Sequence, residues 1–170
     1  MNRLIAAAAA SLIVLIGGCS EKQAEVHASP VAASPELQKL IVAGNPPGAI
    51  AVLAAKKSSH DGDNIILEGR IKDFVDGTAA FTIADTTLQS CKDKGENCPT
   101  PWDYCCQSAK DIADATATVK VVGDGTEVMK GDLKGVNKLD HLVPVIVEGK
   151  AKRDAQGNLE VAASKVYVKP

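Results

Sequence analysis

The chain has few aromatic residues and lacks the short signatures of the common enzyme classes. Only 3% of its 170 residues are aromatic, as two Phe, two Tyr and one Trp. It contains no Gly-x-Ser-x-Gly, no His-Glu-x-x-His, no phosphate-binding loop and no glycine-rich dinucleotide loop. The sequence therefore predicts a protein that is not an enzyme, with no catalytic residues.

An excess of basic residues is also missing. The chain has 19 Lys and Arg against 21 Asp and Glu, for a net charge of −2, and the two signs are mixed along it. A surface that binds nucleic acid needs clustered Lys and Arg, because phosphate contacts supply much of the affinity. We therefore expect no nucleic-acid partner.

The N-terminus has the features of an export signal. Arg3 precedes an apolar run over residues 4–16, which is too short to span a bilayer comfortably. The sequence IGGC at residues 16–19 resembles a bacterial lipobox, in which the cysteine becomes the acylated N-terminus. We therefore expect a lipoprotein signal peptide over residues 1–18, lipidation at Cys19, and attachment to a membrane through the lipid.

Such an anchor implies a place in the cell envelope, with the protein facing the periplasm. Ser20 follows the lipidated cysteine, where an aspartate would resemble an inner-membrane retention signal, so the outer membrane is preferred. Residues 19–47 are rich in Ala, Ser and Pro, a composition typical of a flexible tether. The folded domain is predicted to occupy residues 48–170.

The pattern of this domain predicts an all-β fold that begins with a short helix. Apolar residues at helical spacing indicate a helix that ends near Lys57. Residues 64–75 then alternate between apolar and polar side chains, and Asp-Gly at 76–77 predicts a hairpin into a second strand. A third strand near residues 117–122 and a final hairpin make five strands, with glycines where a small closed barrel must bend.

Two stretches carry resemblances to known families. The segments AIAVLAAKKSSHDGDNIILEGRI, FTIAD and VPVIVEGKAKRDAQGNLEVAASKVYV are similar to bacterial secreted OB-fold proteins, over roughly residues 49–170. This resemblance implies a five-stranded OB-fold-like barrel. The cysteine-rich insertion at residues 88–108, between strands two and three, departs from the pattern of that family. The insertion itself, with CPTPWDYCC, resembles a family of uncharacterised bacterial lipoproteins. That resemblance carries no known activity and leaves the function open.

Four cysteines lie in the insertion, at positions 91, 98, 105 and 106. An even number of cysteines in an oxidising compartment predicts disulfides that staple the loop. Adjacent Cys105 and Cys106 seldom bridge each other, because neighbouring Cα atoms lie closer together than a disulfide prefers. Two pairings remain open, Cys91 with Cys105 and Cys98 with Cys106, or Cys91 with Cys106 and Cys98 with Cys105.

A metal site is the alternative use of the same four cysteines. Four thiolates suit zinc, and soft sulfur also suits copper(I), although the usual Cys-x2-Cys spacing is absent. His141 is a further candidate ligand. Thiol redox chemistry is a third interpretation.

Two aromatic residues, Trp102 and Tyr104, accompany the cysteines. They can cover the bridges as a small local core. Alternatively they form a stacking platform, since OB-folds bind ligands near strands two and three. In that case an oligosaccharide or an envelope protein is the expected partner.

Overall fold

The structure is a computed structural model that describes residues 30–170, and a closed five-stranded barrel forms its centre. The predicted all-β class, the OB-fold-like barrel and the position of the cysteine insertion between barrel strands two and three are confirmed. The strands are β1 (Ile41–Ala43), β2 (Ile50–Ala51), β3 (Asn64–Val75), β4 (Ala80–Ala84), β5 (Thr116–Val121), β6 (Pro144–Arg153) and β7 (Leu159–Val168). The helices are α1 (Pro35–Lys39), α2 (Val52–Ser58) and α3 (Ala109–Asp114), with one 3₁₀ turn at Val136–Lys138.

The barrel closes through β3, which pairs along both of its edges. It is antiparallel to β6 over its first half and antiparallel to β4 over its second half. The circle continues from β4 to β5 in antiparallel pairing, from β5 to β7 in parallel pairing, and from β7 back to β6. Strands β3, β4, β5, β6 and β7 therefore form the barrel, while β1 and β2 extend its sheet.

The alternation of β3 decides which side chains enter the core. Ile65, Leu67, Gly69 and Ile71 are buried, while the residues that alternate with them are only partly buried. Because side chains along a strand alternate between its two faces, the apolar set lines the barrel interior. It meets the buried side chains of the other strands, such as Phe81 and Val161.

Two glycines allow the barrel to bend. A Cβ atom on Gly149 would lie 2.3 Å from the carbonyl oxygen of Ala162, at the register shift between β6 and β7. A Cβ atom on Gly69 would lie 2.8 Å from the carbonyl oxygen of Ala84. Larger residues cannot occupy either position without moving backbone, as expected where strands approach closely at bulges and bends.

The folded domain begins earlier than the predicted boundary at residue 48. Ser34 caps α1 by accepting a hydrogen bond from the Leu37 amide, and Pro35 opens the helix. Leu37 and Ile41 are fully buried, and β1 pairs in parallel with β7. Residues 35–43 therefore belong to the folded domain, because the side chains of Leu37 and Ile41 join the core of the barrel.

Two helices also differ from the sequence expectation. The helix predicted to end near Lys57 is α2, and it starts only at Val52, because Ile50 and Ala51 pair with β3 as the short strand β2. Helix α3 was not predicted. This helix has six residues and follows the last cysteine of the loop. Ser108 caps it by accepting a hydrogen bond from the Asp111 amide.

The predicted signal peptide, residues 1–18, and the predicted lipidation site Cys19 lie outside the described residues. Within residues 30–170, no helix has both the length and the apolar character needed to cross a membrane.

Candidate functional site

The cysteine loop, residues 88–108, folds back on itself as a narrow ribbon. The Cys91 amide donates to the carbonyl oxygen of Asp103 at 2.8 Å, and the Lys92 amide donates to that of Pro101 at 2.7 Å. These bonds place the two limbs of the loop side by side. Cys91 on the first limb therefore comes close to Cys105, which follows the second limb.

Arg70 attaches this loop to the barrel. Its Nη1 and Nη2 atoms lie 3.1 and 2.6 Å from the two carboxylate oxygens of Asp93, and Nη2 also donates to the Leu88 carbonyl oxygen at 2.8 Å. Asp93 also accepts hydrogen bonds from the amide and the hydroxyl of Ser90. The Arg70 guanidinium, helped by these bonds, holds the pKa of Asp93 well below its usual range. Sequence reasoning missed the pair because 23 residues separate its members.

Tyr104 supports the loop from beneath. Its side chain is fully buried with Ala84, Leu88 and Ala115 in a small core separate from the barrel interior. Its hydroxyl has no hydrogen-bond partner within residues 30–170, and burial raises the pKa of Tyr104. Tyr104 therefore belongs to a small local core, which is one of the two roles considered for it from the sequence. Its buried ring is not placed to stack on a ligand.

Three sulfur atoms meet at the open side of the loop. The Sγ atom of Cys105 lies 3.1 Å from that of Cys91 and 3.6 Å from that of Cys98, and all three are within 4.8 Å of one another. Cys106 places its Sγ atom 3.9 Å from that of Cys105. Cys91 is buried, Cys98 is half-buried, and Cys105 and Cys106 are exposed.

The predicted disulfides are not formed between these four residues, which are free cysteines. A disulfide joins sulfurs about 2.05 Å apart, and every separation here is larger. The arrangement also differs from either predicted pairing. Cys105 is close to Cys91, to Cys98 and to its chain neighbour Cys106, so the four sulfurs do not divide into two separate pairs.

The separations approach those of sulfurs that share one metal ion. Sulfurs about 2.3 Å from an ion are about 3.8 Å apart in a tetrahedron and about 4.0 Å apart in a trigonal plane. Cys98 and Cys105 are already near these values, at 3.6 Å. Cys91 and Cys105, at 3.1 Å, would have to separate by less than about 1 Å. The exposure of Cys105 makes such a rotation feasible without moving the barrel.

The thiols differ in acidity. A hydrogen bond from Cys105 lowers the pKa of Cys91, and the same contact, with that to Cys98, raises the pKa of Cys105. The contact with Cys91 also raises the pKa of Cys98. The thiolate is the form of cysteine that binds metal. Cys91, whose pKa is lowered, lies at the buried end of the group.

The predicted extra ligand His141 does not join the sulfurs. Its ring stacks on Trp102 with centroids 4.6 Å apart, and its Nδ1 atom lies 2.7 Å from the carbonyl oxygen of Lys72. Lys134 places its ammonium 5.9 Å from the centre of the Trp102 ring. Within residues 30–170, the group with ligand spacing consists of cysteines alone. A partner that stacks on Trp102 stays a prediction.

Comparisons with known proteins give little further direction. No family model matches the chain, and no curated protein matches it. One crystal structure, of a chain assigned as an aspartyl-tRNA synthetase from Leishmania major Friedlin, matches 77% of this chain with 9% sequence identity and a TM-score of 0.42. The match covers 24% of that chain, so this protein spans about a quarter of its length.

Proposed function

We propose that this protein is a non-enzymatic, lipid-anchored protein of the bacterial envelope whose barrel carries a soft metal ion on the cysteine loop. The observation that supports the metal most directly is the position of Cys105. Its sulfur is within 3.6 Å of the sulfurs of both Cys91 and Cys98. Three sulfurs within 4.8 Å of one another can share one ion, whereas disulfides would join the four sulfurs in two pairs.

Thiolates select the class of ion. Soft sulfur ligands bind zinc or copper(I) and are poor ligands for magnesium or calcium, which prefer oxygen. The carboxylate of Asp93, two residues after Cys91, is engaged by Arg70 and Ser90. Zinc and copper are therefore the expected cofactors, held by Cys91, Cys98 and Cys105 with Cys106 beside them.

Non-covalent contacts hold the loop against the barrel. Arg70 and Asp93 tie it to β3, Tyr104 fills the space beneath it, and the pairing of its two limbs adds backbone hydrogen bonds. These contacts leave the sulfurs available for another role. A metal ion would also protect the thiols from oxidation in the envelope.

The test is metal analysis combined with a count of reactive thiols. The full chain, purified without chelators or added metal, is expected to contain close to one equivalent of zinc or copper. The thiols of Cys91, Cys98 and Cys105 should react with a chromogenic disulfide reagent only after the metal is removed. Absence of both metal and reactive thiols, with two intramolecular disulfides found by mass spectrometry, would overturn the metal proposal.

A second candidate, a disulfide-stapled binding module, is favoured by one observation. The Sγ atoms of Cys91 and Cys105 are 3.1 Å apart, closer than non-bonded sulfurs usually approach. In this case Cys91 and Cys105 form one bond, and the loop presents Trp102 to an oligosaccharide or protein partner. The same mass spectrometry decides between the candidates, because a bond between Cys91 and Cys105 removes two of the three clustered ligands.

The lipid anchor needs its own test. Cells that express the full chain in the presence of a labelled fatty acid should incorporate the label and retain the protein in the membrane fraction. Cys19→Ser should lose both the label and the membrane association, because acyl chains supply the binding energy. An unlabelled wild-type protein that is released from cells would contradict the proposed anchor.

A further inference from the structure

We propose that the ion bound by the cysteine loop is copper(I), held by three sulfurs, those of Cys91, Cys98 and Cys105, with Cys106 outside its coordination shell. This inference rests on the proposed metal site and names its ion class and ligand number. Its basis is the separation of the four cysteines into a group of three and one neighbour.

Cys106 lies apart from the group. The three other sulfurs are all within 4.8 Å of one another, and Cys106 does not satisfy this condition. Its Sγ atom lies 3.9 Å from that of Cys105, its neighbour in the chain. A closed four-sulfur site requires all six sulfur separations to be similar, about 3.8 Å for an ion with bonds of about 2.3 Å.

The number of ligands discriminates between the two soft ions. Structural zinc is almost always four-coordinate and tetrahedral, so it would need Cys106 or another side chain to complete its shell. Within residues 30–170, no histidine or carboxylate joins the three sulfurs at ligand spacing. Copper(I) is compatible with thiolate ligands alone and does not demand a fourth.

The exposure of the ligands indicates how the ion is used. Cys91 is buried, Cys98 is half-buried and Cys105 is exposed, so the site has a closed end and an open end. Structural metal sites are usually closed, whereas an open side lets an incoming ligand reach the ion. The exposed Cys106 lies beside this opening. Copper(I) can therefore enter and leave through Cys105 while Cys91 retains its position.

The experiment uses the full chain in detergent, reduced and kept without oxygen, with copper(I) supplied in acetonitrile and, separately, with zinc sulfate. The matched variants are Cys105→Ser and Cys106→Ser, which change two exposed neighbouring residues by the same atom. Circular dichroism checks that both variants retain the fold. X-ray absorption at the metal edge counts the sulfurs, and competition with a chromogenic copper(I) chelator measures affinity.

We expect one copper(I) per chain with three sulfurs in the wild type and in Cys106→Ser. Cys105→Ser should lose at least about 100-fold in copper(I) affinity, because losing even an outer-shell partner costs 10 to 100-fold. Four sulfurs around copper(I), or an equal loss of affinity in both variants, would overturn the three-sulfur site. Binding of zinc without copper(I) would overturn it as well. Each of these results would leave the proposed metal site standing. Failure of the reduced wild type to bind either ion would overturn both.

Discussion

Arg70 and Asp93 join the barrel to the cysteine loop through a two-pronged ion pair, with nitrogen to oxygen distances of 3.1 and 2.6 Å. Arg70 lies on β3, and Asp93 is two residues after Cys91. The side chains are 18% and 31% exposed, so water screens the pair only in part. Bidentate pairing also fixes orientation, which a single hydrogen bond does not. The position of Cys91 therefore depends on a residue of the barrel wall.

Arg70→Met should loosen the cysteine loop more than it destabilises the barrel. Loss of the charged hydrogen bonds should cost about 1.5 kcal/mol in local stability, which corresponds to about tenfold more frequent opening. Lys92 and Lys94 then become trypsin sites, so cleavage after them should be about tenfold faster under conditions where opening limits access. Arg70→Lys retains the charge without the two-pronged geometry and should give an intermediate rate. Equal rates in all three proteins would contradict this anchoring role.

The same pair predicts a dependence of stability on pH. The pKa of Asp93 is depressed in the folded protein, so its contribution is present above the unfolded value, about 3.9, and is lost as the pH falls through the folded value. Asp93→Asn should therefore be less stable than the wild type at pH 7, and the difference should shrink below about pH 4. Urea denaturation at a series of pH values measures it. A difference that stays constant down to about pH 2 would refute this linkage.

The barrel was predictable because its information is local. The alternation of apolar and polar residues along β3, and the Asp-Gly turn after it, can each be recognised from a few neighbouring residues. Side chains along a strand alternate with a period of two, which specifies the buried face directly. The N-terminal segment was not predictable in this way. Its Pro and Ala content is typical of a tether, and only contact with β7 shows why Leu37 and Ile41 are buried.

The sequence predicts which cysteines form the site, but not how their sulfurs are arranged. Spacing alone indicated that four cysteines act together, and they do lie in one cluster. It could not show that Cys105 lies between Cys91 and Cys98, because that position depends on the pairing of the two limbs of the loop. The burial of Tyr104 likewise depends on a cavity formed by the loop and β4.

Tyr104 should tolerate loss of its hydroxyl and not loss of its ring. The hydroxyl is buried without a partner in the described part of the chain, so Tyr104→Phe should change the free energy of unfolding by less than about 1 kcal/mol, in either direction. Tyr104→Ala leaves a cavity beneath the loop and should cost about 3 to 5 kcal/mol. Urea denaturation of the two variants supplies the comparison. A large loss in Tyr104→Phe would reveal a hydrogen bond that the hydroxyl needs.

Asp85 should prove to be a long-range cap for α2. It is buried, and its carboxylate accepts hydrogen bonds from the amide of Leu53, in the first turn of α2, at 2.9 Å and from the amide of Thr87 at 3.0 Å. The preceding residue of the helix, Ala51, offers no side-chain cap. Asp85→Ala should therefore cost about 1 to 2 kcal/mol and speed hydrogen exchange at the Leu53 amide.

The matched variant for this cap is Asp85→Asn. It keeps one acceptor oxygen and should lose less stability than Asp85→Ala, because neutral acceptors still cap helices well. If both variants exchange the Leu53 amide at the wild-type rate, Asp85 does not hold α2.

Trp102 should report on the face of the cysteine loop. It is the chain's single tryptophan, and the ring of His141 covers it at a centroid distance of 4.6 Å. His141→Ala removes that cover and lets water reach the indole, so its fluorescence maximum should move to longer wavelength. His60→Ala, a change at a histidine with an 87% exposed side chain that does not stack on Trp102, should leave the emission unchanged. The wavelength of indole emission depends on contact with water. An unshifted emission maximum in His141→Ala would therefore show that the stack does not shield Trp102 in solution.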